Sequence, residues 1–316
     1  MRALRFFLAL VISLACCYGA MMYALCRISY SGKPLIYLTN DYYTWKGGDT
    51  YEKFKTFEKG DHYDVVVLGS SRAYRGYDPS KFSEHGFSMF NLGTSAQSMI
   101  NTSILAQNYI THANTGLLIV DVYSGAFKKG QLESSSDLIE NIGNGKAAEN
   151  IAITSHDVRA LNMEALRFFS RNDGPYFKDA DYVGNGFSIR KDTLPADLRK
   201  KLKKFSQPVK PTINIDENSM IAFRELLAYC KKESIPVVVV NSPVSDFYSL
   251  SNHKVFLDSI VPVMKADNVP FYDYSRKIQL STTHHFYDDT HMNVMGVAIF
   301  NDSLIDGMKN DNLLHH

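Results

Sequence analysis

Five short apolar runs recur along the chain, and longer stretches with helical spacing separate them. The runs are Val65–Leu68, Ser88–Leu92, Leu117–Val122, Pro236–Val240 and Val269–Tyr272. Runs that are apolar at successive positions, and therefore on both faces, are typical of parallel strands covered by helices. The pattern predicts one mostly parallel sheet of five strands.

Helical patterns occupy the intervals between these runs. Predicted helices cover Ala96 to about Thr111, Asp216–Ser234, about Lys254 to Ala266, and a final segment that begins near Asn293. Asp216 precedes its apolar positions directly, as a capping residue does. Strands that alternate with helices in this way predict an α/β domain with three layers, α/β/α.

The alternation is interrupted between Phe127 and about Thr212. This interval of about 85 residues is longer than an ordinary crossover connection, so we predict an insertion at about residues 128–212 that lies over one end of the sheet. Its basic run, Arg199–Lys204, is typical of a solvated surface. Two interpretations of the insertion stay open: a decoration without a role, or a lid or partner-binding surface.

The N-terminal segment is long and apolar enough to cross a membrane. Phe6–Cys26 contains no charged residue, and as a helix it spans roughly 30 Å, the thickness of a hydrocarbon core. Arg2 and Arg5 favour a cytoplasmic location for residues 1–5, so the rest of the chain is expected to face outward. Residues 27–60 are interpreted as a connecting stalk, and residues 61–316 as the folded domain.

Two other interpretations of this segment remain. A cleaved signal peptide has a similar composition but normally a shorter apolar region. Ser13–Cys16 also faintly resembles a lipoprotein cleavage site, with serine where leucine is expected. All three interpretations export the rest of the chain, and we favour the uncleaved anchor.

Composition excludes several classes of function. The formal net charge of the 316 residues is +1, so the chain lacks the basic field that nucleic-acid binding requires. Three of the four cysteines lie in the apolar segment and only Cys230 lies outside it, so an exported domain has no intrachain disulfide. The cysteines do not have the spacing of a metal finger.

Candidate catalytic residues follow the strand ends, where open α/β sheets form their sites. Gly69-Ser70-Ser71 follows the first strand, and Gly93 follows the second with a backbone N–H that no side chain obstructs. Asp288 stands three residues before His291, just ahead of the last helix. A serine nucleophile needs a base and a carboxylate that orients the base. Taken singly, these residues are common in turns and caps, and Ser70 and Ser71 remain equal candidates.

A metal site is the rival interpretation of the last cluster. His284, His285, Asp288, Asp289 and His291 are ligand types that suit zinc. A metal site would leave the serine turn without a role, so we predict no metal. Asp273, after the fifth strand, is expected to serve a turn or to line the site.

Three segments resemble signature blocks of the SGNH (GDSL-type) hydrolase superfamily. V-V-V-L-G-S-S-R at residues 65–72, N-L-G-T-S at residues 91–95 and D-D-T-H-M-N-V-M-G at residues 288–296 resemble the first, second and last blocks. The resemblance is strongest to the membrane-anchored cell-envelope branch, which includes the teichoic-acid D-alanyl transfer protein and the alginate O-acetylation proteins. It covers about residues 61–125 and 236–309, and it implies an SGNH/flavodoxin-like sheet.

The resemblance also implies roles for individual residues. It makes Ser71 the nucleophile, His291 the base and Asp288 the carboxylate that orients the base, with Asp289 a neighbour or cap. The backbone N–H groups of Ser71 and Gly93 would stabilise the oxyanion.

One departure from the family pattern concerns the third strand. The family's oxyanion asparagine normally follows that strand, where this chain reads V-D-V-Y-S-G at residues 120–125. Asn241 follows the fourth strand and cannot take the role by position. Loss of one oxyanion donor costs about a hundredfold or more in turnover. Activity is then slow, uses Tyr123 or Ser124 instead, or needs a partner.

The sequence as a whole predicts a serine acyl esterase or O-acyltransferase, anchored in the inner (cytoplasmic) membrane of a bacterium by one span. Its catalytic domain would be periplasmic or on the cell surface and would need no cofactor. The resemblance implies acyl groups of an envelope polysaccharide or glycopolymer as substrate, and a polytopic membrane O-acyltransferase as partner. The alternative is a non-catalytic SGNH-fold protein that binds glycans or serves as a scaffold in an envelope acylation complex.

Overall fold

The computed structural model of the chain describes residues 1–40, 46–58, 61–130, 132–169, 178–205, 214–248 and 250–314. Its strands are β1 (Ser29–Tyr30), β2 (Lys33–Pro34), β3 (Tyr63–Leu68), β4 (Met89–Asn91), β5 (Thr115–Asp121), β6 (Tyr182–Gly184), β7 (Phe187–Ser188), β8 (Val237–Asn241) and β9 (Phe271–Asp273). Its helices are α1 (Arg2–Arg27), α2 (Gly48–Phe57), α3 (Ser71–Gly76), α4 (Pro79–Glu84), α5 (Met99–Tyr109), α6 (Leu132–Asn141), α7 (Gly145–Thr154), α8 (Val158–Phe169), α9 (Ala196–Phe205), α10 (Glu217–Lys232), α11 (His253–Ala266) and α12 (Val294–Asn310).

The central sheet has five parallel strands in the order β4-β3-β5-β8-β9. Each predicted apolar run forms one of them, which confirms the sheet prediction. In register, Val66 of β3 stands opposite Phe90 on one side and Leu118 on the other. Because all five strands are parallel, their carboxyl ends meet at one edge of the sheet.

Successive residues of β3 face opposite layers of the domain. Val65 and Val67 belong to a core with α4 and α12, whereas Val66 and Leu68 belong to a core with α5, α10 and α11. All four side chains are fully buried, and burial of each stabilises the fold by about 1.5–3 kcal/mol. The three-layer α/β/α arrangement therefore follows from strands that are apolar on both faces.

Capping residues fix where the predicted helices begin. The Asp216 side chain accepts a hydrogen bond from Ser219 N, and the Asn293 side chain accepts from Met295 N. The helix predicted from Ala96 begins three residues later at Met99, because Ser98 caps it and accepts from Asn101 N. Ala96 instead has a positive φ of 47° and belongs to the preceding loop.

The insertion has two parts. Helices α6, α7 and α8 bury Leu138, Ile151 and Met163 in the same core as α5 and α10. The β6–β7 hairpin lies beside the outer strand of the sheet, where Asn91 N–H donates to Asn185 O at 2.9 Å. The lysines at 200, 201 and 203 are exposed, as the basic run predicted. Residues 131, 170–177 and 206–213 of this region lie outside the described residues.

The segment predicted as a stalk is packed into the domain, which corrects that prediction. Helix α2 buries Lys53, Phe54 and Phe57, and Phe54 and Phe57 join the core that contains Val66. These two aromatic residues stand three positions apart, on one face of a helix. Residues 41–45 and 59–60 of the predicted stalk lie outside the described residues.

Helix α1 contains the predicted anchor. Within the described part of the chain it is the one helix long and apolar enough to cross a membrane, with a mean hydropathy of 2.0 over 18 residues. A signal sequence satisfies the same criteria. Most of α1 is exposed, but Met22 and Cys26 near its C-terminal end are buried against the rest of the protein.

Candidate active site

A tight turn after β3 places the two candidate serines. At Gly69, with φ +156°, an added Cβ would lie 2.9 Å from Ala73 Cβ and 2.9 Å from Asp121 Cβ, so only glycine fits there. Ser70 is buried and caps α3, since its side chain accepts from Arg72 N. Ser71 is the first residue of α3 and is half-buried. The turn therefore separates a capping serine, Ser70, from one whose hydroxyl faces the strand-end edge.

The structure brings Ser71, His291 and Asp288 together as the sequence predicted. Ser71 Oγ lies 2.8 Å from His291 Nε2, and His291 Nδ1 lies 2.7 Å from Asp288 Oδ2. A carboxylate beside Nδ1 fixes the tautomer in which Nδ1 carries the proton. The lone pair of Nε2 then accepts from the Ser71 hydroxyl, so the imidazole is placed to act as a base.

Asp288 is held by the backbone of its own loop. Its Oδ1 accepts from Thr290 N at 2.8 Å and from His291 N at 2.7 Å. Burial raises the pKa of the Asp288 carboxyl, but its hydrogen bond with His291, the charge attraction between the two side chains and the two backbone donors outweigh burial. The pKa of Asp288 therefore lies below its usual value, and the residue stays ionised.

Tyr287 supports the other side of the histidine. Its ring stacks on the His291 ring with centroids 5.5 Å apart and planes 11° apart. The guanidinium groups of Arg75 and Arg190 lie 6.0 Å and 5.8 Å from the Tyr287 centroid. Both arginines pair with the single carboxylate of Asp181, at 3.7 Å and 3.0 Å. The two arginines thus share one carboxylate, and both lie over the ring that stacks on His291.

The loop after β4 approaches α3 closely at Gly93. An added Cβ there would lie 2.8 Å from Ala73 Cβ and 3.0 Å from Ser70 O, which requires glycine. The Gly93 N–H donates to Asn91 Oδ1 at 3.0 Å. It is therefore already engaged within the loop, which departs from the prediction that Gly93 offers a free oxyanion donor. The N–H of Ser71 has no intrahelical acceptor at the first position of α3, so it remains available.

A buried lysine supports the same loop from α2. Lys53 is fully buried, and its ammonium donates to Gly93 O and lies 3.3 Å from Asp49 Oδ2. Its Nζ also lies 4.6 Å from the centroid of the Tyr74 ring. Burial lowers the pKa of Lys53, an effect that the attraction of Asp49 opposes. The segment predicted as a stalk thus contributes a charged group beneath the site.

A buried carboxylate, Asp121, ends β5, where the signature pattern that the sequence resembles would have an asparagine. Asp121 Oδ2 accepts from Tyr77 OH at 2.9 Å and from Ser242 N at 3.3 Å. Burial raises the pKa of Asp121, against the opposing attraction of Arg72. Among the described residues, Asp121 Oδ1 and Arg72 Nε have no hydrogen-bond partner.

Asn241 does not substitute for the absent asparagine. Its Oδ1 accepts from Arg72 Nη2 at 3.1 Å, and its Nδ2 donates to Asp273 Oδ1 at 3.2 Å. The Tyr123 ring lies under the Arg72 guanidinium, at 5.3 Å. Asn241 and Tyr123 therefore both surround Arg72.

The two remaining strand-end residues have structural contacts. Ser124 Oγ lies 3.5 Å from Tyr248 OH. Asp273 accepts from Ser275 N at 3.1 Å, in the turn that was predicted for it, and it pairs with His253 Nε2 at 2.9 Å.

The other two histidines of the rival metal interpretation form hydrogen bonds with Ser281. His284 Nδ1 lies 2.9 Å from Ser281 Oγ, and His285 Nδ1 accepts from Ser281 N. Burial and the neighbouring Asp288 charge raise the pKa of Asp289, whose backbone carbonyl accepts from Ser245 N. In the described part of the chain, no group of three or more such side chains is arranged to hold a metal ion.

Sequence reasoning missed Lys53, Arg72, Tyr287 and Arg190. A usable signal existed for two of them, because Arg72 follows Ser71 directly and Tyr287 lies in the same loop as His291. Lys53 and Arg190 reach the site only through tertiary packing, which no local pattern reveals.

Comparison with known proteins finds no matching family model and no match among curated proteins. Similar solved structures include a GDSL-like lipase from Bacteroides thetaiotaomicron, 11% identical over 83% of this chain and 98% of its own, with a TM-score of 0.42. A lipase/acylhydrolase from Enterococcus faecalis is 10% identical over 78% of this chain and 96% of its own, with a TM-score of 0.40. Likenesses this distant do not identify a family or an activity.

Proposed function

We propose that the chain is a membrane-anchored serine acyl esterase or O-acyltransferase that acts on acyl groups of a cell-envelope polysaccharide or glycopolymer. One observation carries the proposal: Ser71, His291 and Asp288 form a continuous hydrogen-bonded chain of 2.8 Å and 2.7 Å. Two of these residues stand 220 positions apart in sequence, and their meeting at the strand-end edge is the arrangement that serine acyl transfer requires.

The proposed reaction has two halves, acylation and deacylation of Ser71. Ser71, His291 and Asp288 take part in both. Ser71 Oγ attacks the acyl carbonyl while His291 Nε2 takes its proton, and the Asp288 carboxylate stabilises the imidazolium that forms. The Ser71 N–H, at the positive end of α3, donates to the oxyanion. When the carbon–oxygen bond to the leaving alcohol breaks, His291 returns the proton to that oxygen and Ser71 remains acylated.

The second half runs in reverse with a new nucleophile. His291 takes a proton from water or from a sugar hydroxyl, whose oxygen attacks the acyl-serine carbonyl. As the bond between that carbonyl and Ser71 Oγ breaks, His291 returns the proton to Ser71 Oγ, which restores the free serine. Water gives hydrolysis, and a sugar hydroxyl gives transfer.

The envelope setting of the proposal is supported by α1 and by the signature blocks. The length and composition of α1 fit a single span of the inner membrane of a bacterium, with the catalytic domain on the outer side. The envelope branch that the blocks resemble acts on glycopolymers, so the proposal extends to such an acceptor. It also extends to a polytopic membrane O-acyltransferase as the protein that supplies the acyl group.

The activity is tested with a fluorophosphonate probe, which reacts with an activated serine. We expect labelling of the wild type and of Ser70→Ala, because Ser70 is buried and caps α3, and no labelling of Ser71→Ala. The melting temperature of each variant verifies that it is folded. Labelling of Ser71→Ala at the wild-type rate would overturn the assignment of the nucleophile.

A second candidate, a non-catalytic glycan-binding or scaffold protein, is favoured by two features of the oxyanion region. The Gly93 N–H is engaged with Asn91, and a carboxylate, Asp121, stands where the family has an asparagine donor. The same probe separates the candidates, since a folded wild type that resists labelling at every probe concentration supports the scaffold.

Hydrolysis and transfer are separated by product analysis. With an acetyl ester as donor, an esterase releases acetate whether or not a soluble oligosaccharide is present. A transferase forms acetylated oligosaccharide at the expense of released acetate.

A further inference from the structure

We infer that Asp181, in the insertion, is a positioning residue for His291. Its carboxylate holds Arg75 and Arg190 over the Tyr287 ring, and that ring fixes the orientation of the imidazole. The inference rests on the proposed function, since it assigns Asp181 a part in the reaction of the same site. It also gives a role to this part of the insertion, because Asp181 directly precedes β6.

The Tyr287 ring is the aromatic side chain that stacks on the histidine. Its plane is tilted by 11° from that of the His291 imidazole, with the centroids 5.5 Å apart, as in offset aromatic stacking. The hydrogen bonds of the imidazole to Asp288 and Ser71 lie along its plane. A stacked ring therefore restricts the one motion that these bonds leave open, the tilting of that plane.

Two guanidinium groups lie over the Tyr287 ring. Arg75 Cζ and Arg190 Cζ are 6.0 Å and 5.8 Å from its centroid, within the range of cation–π attraction. Arg75 stands four positions after Ser71 on α3, about one helical turn further along. Arg75 therefore connects the Tyr287 ring to the helix that carries the nucleophile.

Asp181 is placed to offset the repulsion between these two cations. Its Oδ2 lies 3.7 Å from Arg75 Nη1 and 3.0 Å from Arg190 Nε. The two nitrogens can be no further apart than the sum of these distances, and like charges that close repel each other. Among the described residues neither nitrogen has a hydrogen-bond partner, so the carboxylate acts on both through its charge. Without that charge the guanidinium groups are expected to separate and to release the ring.

The hairpin that follows Asp181 is fixed to two segments of the domain. Asn185 O accepts from Asn91 N at 2.9 Å, and a Cβ added at Gly186, where φ is +80°, would overlap Asn91 O. After β7, Arg190 O accepts from Val294 N at 2.7 Å. The segment that carries the carboxylate is therefore tied to the end of β4 and to the first residue of α12.

The test uses Asp181→Asn, which keeps the shape of the side chain and removes its charge. Asp192→Asn is the matched control, because it removes an exposed carboxylate from the same part of the insertion. With the full-length protein and a chromogenic acetyl ester, we expect Asp181→Asn to lower kcat about tenfold at unchanged KM, since a small misplacement of a catalytic group costs up to about a hundredfold. The control should keep the wild-type kcat, and melting temperatures verify folding. Equal kcat values for the wild type and Asp181→Asn would overturn the inference and leave the proposed function intact.

A second comparison tests whether Asp181 acts through the aromatic ring. Tyr287→Leu removes the stacked ring and lowers kcat by itself. In that background we expect Asp181→Asn to change kcat by less than twofold, because the two substitutions interrupt the same chain of contacts. Full multiplication of the two losses in the double variant would overturn the route through Tyr287.

A measurement without substrate separates this inference from the proposed function. The proton on His291 Nδ1, held by Asp288, gives a far-downfield resonance in proton NMR, which His291→Gln assigns by its absence. We expect a sharp resonance in the wild type and in Asp192→Asn, and a broadened one in Asp181→Asn. An unchanged resonance in Asp181→Asn would overturn the inference whether or not the protein turns over an ester. A broadened resonance in Asp181→Asn, with a wild-type Ser71 that resists the fluorophosphonate, would support the positioning role and refute the proposed function alone.

Discussion

Replacement of Lys53 by methionine tests whether the segment after the anchor supports the active site. Methionine keeps the length and apolar stem of the lysine side chain but removes its charge and its donors. In the wild type the buried ammonium donates to Gly93 O and lies 3.3 Å from Asp49 Oδ2. The substitution leaves the Gly93 carbonyl without this donor and removes the cation that faces Asp49.

The magnitude follows from these two losses. Removal of one partner from a buried ion pair costs about 3–5 kcal/mol, and an unsatisfied buried carbonyl costs about 1–3 kcal/mol. The Asp49 side chain keeps 19% exposure, so water screens part of the first cost. We therefore expect Lys53→Met to lower the free energy of unfolding by about 3 kcal/mol, or the melting temperature by about 6–12 °C.

The assay is the melting temperature of the detergent-solubilised full chain, with Lys55→Met as the matched control because Lys55 is exposed on the same helix. We expect little change in the control. In the double variant Lys53→Met/Asp49→Asn, we expect about half of the loss to be recovered, since the uncompensated carboxylate is gone. Equal melting temperatures for Lys53→Met and Lys55→Met would refute a supporting role for the buried lysine.

Three further predictions concern the triad, the third strand end and pH. Asp288→Asn is expected to lower kcat for an acetyl ester by about 10³–10⁴, because His291 loses the partner that fixes its tautomer, and a loss below tenfold would contradict that role. Tyr77→Phe is expected to cost about 1–3 kcal/mol in chemical denaturation, because it removes a donor to the buried Asp121 carboxylate; an unchanged free energy of unfolding would count against that bond. Burial and the charge of Asp49 raise the pKa of Asp137 from 3.8 to about 7. The folded state then holds a proton that the unfolded chain releases, so the melting temperature should fall as pH rises from 4 to 7. Asp137→Asn should make this decline less steep. A variant with the wild-type slope would argue against the raised pKa of Asp137.

The sheet and its caps could be predicted from sequence because their causes are local. Val65–Leu68 must be apolar at every position when helices cover both faces, and that composition is visible in the chain. Asp216 and Asn293 identify helix starts because a capping side chain bonds to backbone groups two or three residues away. The pair Asp288 and His291 is likewise local, at three residues.

The meeting of Ser71 with His291 could be predicted only through a rule for the whole fold. Parallel strands bring their carboxyl ends to one edge, so residues 220 positions apart could be expected to meet there. The rule locates backbone positions. It does not say which backbone N–H groups already donate a hydrogen bond to a neighbouring side chain. For this reason the engagement of the Gly93 N–H by Asn91 was not foreseen.

The packing of α2 could not be predicted from its composition. Lys53 stands between Glu52 and Phe54, and lysine is almost never fully buried without a partner. Its burial depends on Gly93 and Asp49 being in place, and the Gly93 carbonyl belongs to a loop 40 residues further along the chain. Phe54 and Phe57 stand three positions apart, which is a weak indication of a buried helix face. The stalk prediction did not take that spacing into account.

The central claim is that Ser71 becomes acylated. The purified full-length protein is mixed with a chromogenic acetyl ester, stopped with acid before turnover is complete, digested and weighed by mass spectrometry. The mechanism predicts the added mass of one acetyl group on the peptide that contains Ser71, and none in Ser71→Ala. Acetylation of a different residue, or continued turnover with no acetyl group on Ser71, would contradict it.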